Sequence, residues 1–175
     1  MNFIQEKIKE DHKTFKWHYK EILYRESRNI FKVQQSTTKE DMLEGFDYKI
    51  KFQKKEVAVR NREFGAQKYL DFTIRASSNG YDSEIQKIRK GCGDLYLYVW
   101  QTECGSSIDY YMIIDLEAFR SSGLADSDRI YKQNPDGITG FYAYSFAELA
   151  KNKCIISFNK FNSMWKVNPE SLHDF

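Results

Sequence analysis

Residues that staple a chain or ligate a metal are scarce here. The three cysteines, Cys92, Cys104 and Cys154, form an odd set with no CxxC pair, a pattern that predicts free thiols in a reducing cytoplasm. His12, His18 and His173 neither pair at helical spacing nor sit near a cysteine, which argues against zinc. With only Pro135 and Pro169, the chain has no proline-rich linker. The N-terminus carries no apolar signal core, and no apolar run is long enough to span a membrane. Charge of one sign is also missing. A formal net charge of +2 is too mild for composition alone to name a nucleic-acid partner.

Aromatic residues are abundant instead. Twelve Tyr, thirteen Phe and three Trp suit a β-rich core and supply rings for stacking on bases or partners. The length fits a single domain over residues 1–175 that can bury a core without staples. Lys and Arg cluster in 7–32, 49–62 and 86–90, and residues 103–128 are acidic.

Hydrophobic spacing predicts a short helix over 2–10 and a longer one from Thr14 to about Lys32, with Phe15, Tyr19, Ile22, Leu23 and Ile30 on one stripe. Glu26 falls in that stripe, where a charge needs a partner; Arg25, Arg28 or a sheet arginine is available. Three strand-like runs follow, over 45–52, 56–62 and 70–75, with links short enough to predict an antiparallel meander. A helix is expected over about 83–90, capped by Asp82 or Ser83 and ended by Gly91 in a left-handed conformation. The run 94–100 is apolar enough to be an interior strand covered on both faces. Further strands are expected over 108–116, 141–144 and 154–158, with short helical pieces near 116–121 and 146–150.

Alternation along the three runs gathers Asp47, Lys49, Glu56, Arg60, Arg62, Asp71, Thr73 and Arg75 on one polar face. Carboxylates and guanidinium groups together suit a metal ion and a phosphate. They suit equally a solvated sheet surface of cross-strand ion pairs, each contributing about 0.2–1 kcal/mol.

This element order, with Asp47 on the first of the three strands and Glu26 on the preceding helix, resembles the PD-(D/E)XK nuclease superfamily over roughly residues 14–100. The resemblance implies an α/β fold with a mixed sheet: helix, three-stranded antiparallel meander, crossover helix and further strands, as in restriction endonucleases, with residues 101–175 as an elaboration. It implies a small Mg²⁺- or Mn²⁺-dependent nuclease acting on DNA phosphodiesters. Asp47 then matches the central metal-binding aspartate and Glu26 the helical acid. The slot for acid, any residue, lysine reads Ala58-Val59-Arg60, so the acid is missing and an arginine that stays protonated replaces the lysine. Glu84 and Lys87 on the crossover helix, with Gln86 between them, or Asp71 on the third strand with Glu56 nearby, are the replacements. In that scheme Glu26, Asp47 and Asp71 hold the metal, while Arg60, Glu84 and Lys87 join Asp47 in catalysis. The alternative is a catalytically inactive relative that binds nucleic acid or a protein partner, such as a phage-type inhibitor or accessory factor. Ala58 and Arg60 favour it.

For nucleic-acid contact the candidates are Lys54, Lys55, Arg62 and Arg75, extended by Lys68, Arg89 and Lys90, with Tyr81, Tyr110 and Trp165 as stacking groups. Gly91-Cys92-Gly93 reads as a helix end and tight turn, with Cys92 a small buried residue.

Overall fold

The computed structural model describes residues 3–30, 32–35, 48–51, 54–69, 71–77, 82–134 and 139–161. Side chains are described for residues 14–27 of the first helix, and not for 32–35, 48–51 or 67. Among these residues the chain is a mixed α/β structure with four helices and a mixed sheet. The elements are α1 (Phe3–Ile30), β1 (Lys32–Gln35), β2 (Tyr48–Lys51), β3 (Val57–Arg62), β4 (Asp71–Arg75), α2 (Glu84–Arg89), β5 (Leu95–Gln101) and β6 (Ile108–Asp115). They continue with α3 (Leu116–Ser121), β7 (Lys132–Gln133), β8 (Gly140–Ser145), α4 (Phe146–Lys151) and β9 (Ile155–Lys160). The two helices expected over 2–10 and 14–32 are one continuous helix, and a short strand begins at Lys32, where helix was expected.

β5 organises the fold. Leu95 to Trp100 are all buried, as expected of a continuous apolar run flanked by sheet neighbours. Its odd residues Leu95, Leu97 and Val99 face Phe15, Tyr19 and Ile22 of α1, joined by Tyr111 and Ile113 of β6. Its even residues Tyr96, Tyr98 and Trp100 face the opposite way, onto Phe72, Ile74, Ile85, Ile88, Phe119 and Tyr144. The result is three layers: α1, a four-stranded sheet, and a layer built from a three-stranded sheet and short helices. Each fully buried large apolar side chain contributes about 1.5–3 kcal/mol.

The four-stranded sheet runs β3-β5-β6-β9, with β3 parallel to β5 and the other pairs antiparallel. Trp100 opposes Tyr110 and Gln101 opposes Ile108, so Asp109 is a bulge. That extra residue turns Ile108 onto the α1 side, although it shares parity with Met112 on the other. The second sheet runs β4-β8-β7, all antiparallel, and β1 pairs with β2.

The expected meander does not form among these residues. β2, β3 and β4 belong to three different sheets: β2 pairs with β1, β3 with β5, and β4 with β8. Short links favour hairpins, but β5 offers β3 a fully buried apolar partner and β8 offers β4 the aromatic Tyr144. Burial of that surface outweighs proximity along the chain. One consequence is that the apolar residues of these runs divide between layers. Val57 and Val59 pack in the α1 layer, whereas Phe72 and Ile74 pack in the opposite one.

Candidate functional site

Arg60 and Arg62 share a face of β3 with Ala58, and the parallel register aligns them with Tyr98 and Trp100. They therefore point toward β4, whose second edge has no strand beside it among the described residues. An unpaired edge leaves backbone donors and acceptors to be satisfied. Side chains do this here. Arg60 Nη1 donates to the Thr73 carbonyl at 2.6 Å, the Thr73 amide donates to Tyr98 Oη at 3.3 Å, and the Arg75 amide donates to Glu84 Oε2 at 2.9 Å.

The same groups bond to one another. Arg60 Nη1 lies 3.0 Å from Glu84 Oε2, and the Tyr96 hydroxyl donates to the other carboxylate oxygen. Thr73 Oγ1 meets Tyr98 Oη at 2.9 Å and accepts from Arg62, whose guanidinium lies 5.9 Å from the Tyr98 ring centre. Burial opposes the charge on Arg60, but Glu84 beside it prevails and the guanidinium is held more firmly protonated than usual. Burial, reinforced by the Glu84 charge, pushes the Tyr96 phenol well above its ordinary range. Arg60, the residue in the lysine slot, thus acts as a tie between β3, β4 and α2.

Glu26 lies elsewhere. It is 6% exposed on the α1 stripe and accepts from Tyr111 Oη at 2.5 Å and Asn159 Nδ2 at 3.3 Å, donors from β6 and β9. Burial and the Glu26 carboxylate push Tyr111 up to about 12. Tyr111 belongs to the α1-side cluster and Tyr96 to the opposite one, so Glu26 and Glu84 sit on opposite faces of the four-stranded sheet. Asp71 opens β4, half-buried, with Oδ1 buried and without a hydrogen-bond partner among the described residues. Burial raises its pKa against the pull of Arg62 and Lys132.

Asp47 lies outside the described residues, as do Tyr81 and Trp165. Of the acids assigned to a metal, Glu26 and Asp71 are therefore not brought together, and both oxygens of Glu84 are occupied by protein donors. Among the described residues no three of His, Cys, Asp and Glu group as ion ligands. Among the described residues, Glu26 and Asp71 do not supply a shared site for a magnesium ion. Lys87 is exposed on α2 beyond this network.

The basic candidates divide as well. Lys54 pairs with Glu56 at 3.7 Å and Lys55 with Asp94 at 3.4 Å, where β3 begins. Arg62 lies at the strand's other end, bonded to Thr73. Arg89 pairs with Asp126 and Lys90 with Asp82. Tyr110 is stacked on Phe158 within the protein. Cys92 is exposed, a correction to its expected burial, because the left-handed Gly91 turns the chain outward after α2.

A second ionic cluster escaped the sequence reading. Arg129 clamps both oxygens of Glu148, donates to the Ala143 carbonyl at 3.0 Å and lies 3.9 Å from the Tyr144 ring centre. Glu148 also closes a capping box with Ser145 at the start of α4. That Ser-x-x-Glu spacing was the available signal, though it marks a helix start and says nothing of Arg129.

Comparison with family models, curated proteins and solved structures finds no match to this chain.

Proposed function

We propose that this chain works by binding a nucleic acid, without a hydrolytic step. The observation that carries this reading is the employment of Arg60 and Glu84: each is satisfied by protein partners that hold β4 in place. Arg60 Nη1 is committed to a carboxylate and a carbonyl, and the Glu84 carboxylate already accepts from three protein donors. The separation of Glu26 from Glu84 by the sheet supports the same view. Binding needs only cations that keep their charge for the ligand, and Arg75 and Lys132 belong to no ion pair among the described residues.

The test is a paired assay on the full chain. Labelled DNA and RNA, single-stranded and duplex, are titrated in EDTA and separately incubated with Mg²⁺ or Mn²⁺. The expected result is binding in EDTA and intact nucleic acid with either metal. Metal-dependent cleavage that Asp47→Ala abolishes would overturn the proposal in favour of a nuclease. Absence of binding to every nucleic acid would overturn it in favour of a protein partner.

A further inference from the structure

At its Arg75 end, the outer face of the three-stranded sheet carries side chains that the edge network does not use. On β4, Phe72 and Ile74 enter the core, so Asp71, Thr73 and Arg75 lie on the other face, where Thr73 is buried and bonded to Tyr98 and Arg62. On β8, Tyr142 and Tyr144 pack toward the core, which leaves Phe141 and Ala143 on that same outer face. The register then aligns Arg75 with Phe141 and Phe141 with Lys132. One row across the sheet therefore reads cation, aromatic, cation. Arg75 and Phe141 are half-buried and Lys132 is exposed.

Neither cation of this row is in an ion pair among the described residues. Two described acids belong to the same surroundings, Asp71 and Glu84. Asp71 lies at the far end of β4, with Arg62 and Lys132 acting on its carboxylate. Glu84 meets the Arg75 backbone amide and is neutralised by Arg60. Adjacent strands are about 4.8 Å apart, so the backbones of the two outer strands lie about 10 Å apart with that of β8 between them.

Resting on the binding reading above, we propose that this face receives a single-stranded nucleic acid, with a base stacked on Phe141 and phosphates contacting Arg75 and Lys132. A ring presented on a sheet needs an unstacked base, which a single strand supplies and a duplex withholds. Unpaired cations on both sides of the ring complement the charge that follows each base along the strand.

The experiment is fluorescence anisotropy of the full chain with labelled oligothymidine and with a duplex, in EDTA at fixed salt. Phe141→Ala and Lys132→Glu each weaken single-strand binding about tenfold. Lys132→Ala lowers the salt slope of log K by about 0.7, as expected for one lost phosphate contact. Phe141→Tyr keeps the ring and retains affinity. Lys16→Glu, exposed on α1 across the molecule, leaves binding unchanged. Thermal melts confirm folding, and exposed Lys132 keeps the test open should Phe141→Ala fail to fold. If the wild type binds and the Lys132 and Phe141 variants match it, this face is refuted while nucleic-acid binding stands. Equal affinity for duplex refutes the single-strand assignment. If the wild type binds no nucleic acid, the functional reading itself fails.

Discussion

Replacing Glu84 with alanine tests the role assigned to the edge of β4. The carboxylate accepts from Arg60, the Arg75 amide and the Tyr96 hydroxyl, and the Arg60 and Glu84 side chains are 23% and 30% exposed. Glu84→Ala leaves a mostly buried cation with one carbonyl partner, and a buried phenol without an acceptor. Breaking a fully buried ion pair from one side costs about 3–5 kcal/mol, and each orphaned buried group about 1–3 kcal/mol. Partial solvent access screens the pair, so the expected loss is about 3 kcal/mol, at the low end. For a chain of this size that corresponds to a fall in Tm of about 6–12 °C. Glu84→Gln keeps acceptor oxygen and loses the charge, and falls between wild type and alanine. Lys87→Ala, one turn away and exposed, changes stability by less than about 0.5 kcal/mol. Urea unfolding of the four proteins makes the comparison. A Glu84→Ala variant within about 0.5 kcal/mol of wild type would refute the edge-tie account.

Three other outcomes follow from single sites. Burial raises the Asp71 pKa above its unfolded value, so this carboxyl favours the folded state once protonated and opposes it as pH rises through the folded value. Asp71→Asn should therefore match or exceed wild-type Tm at neutral pH and lose that gain in acid; a large neutral-pH loss would contradict the assignment. Gly140→Ala places a Cβ 2.1 Å from the Tyr131 ring and displaces the hydroxyl that bonds Ser77 at 3.1 Å, costing about 1–3 kcal/mol. Adding Tyr131→Ala should recover part of that loss, and a Tm for Gly140→Ala equal to wild type would show that the ring does not sit there. Hydrogen bonds with Ser106 and Thr102 lower the exposed Cys104 thiol to about 7, so its alkylation rate should titrate near that pH and exceed the rate of buried Cys154. Equal rates for the two thiols would remove the basis for that expectation.

Much of the fold was legible where one residue pattern had one physical solution. The run from Leu95 to Trp100 was too continuously apolar to have a wet face, and it lies buried between two layers. The α1 stripe was equally plain, Glu26 included, and its burial is answered by Tyr111 and Asn159 from strands distant in sequence. Gly91 ends α2 with φ of 88°, as a glycine after the last helical residue suggests. The candidate site was less legible. Alternation correctly put Arg60 and Arg62 opposite Val57 and Val59, but what that side of β3 faces depends on which strand comes to lie there.

The sequence by itself determined the helix stripe, the positions of most strands, the buried character of β5 and the face each side chain takes within its own strand. These are consequences of periods of 3.6 and 2 residues and of transfer from water, which act locally. Only the tertiary structure decided that β3 lies parallel to β5, that β4 joins β8, and that Arg60 meets Glu84 across the resulting edge. The physical reason is that strand pairing is chosen by competition among all partners for buried area and satisfied backbone groups. Alternation within one strand carries no information about that choice.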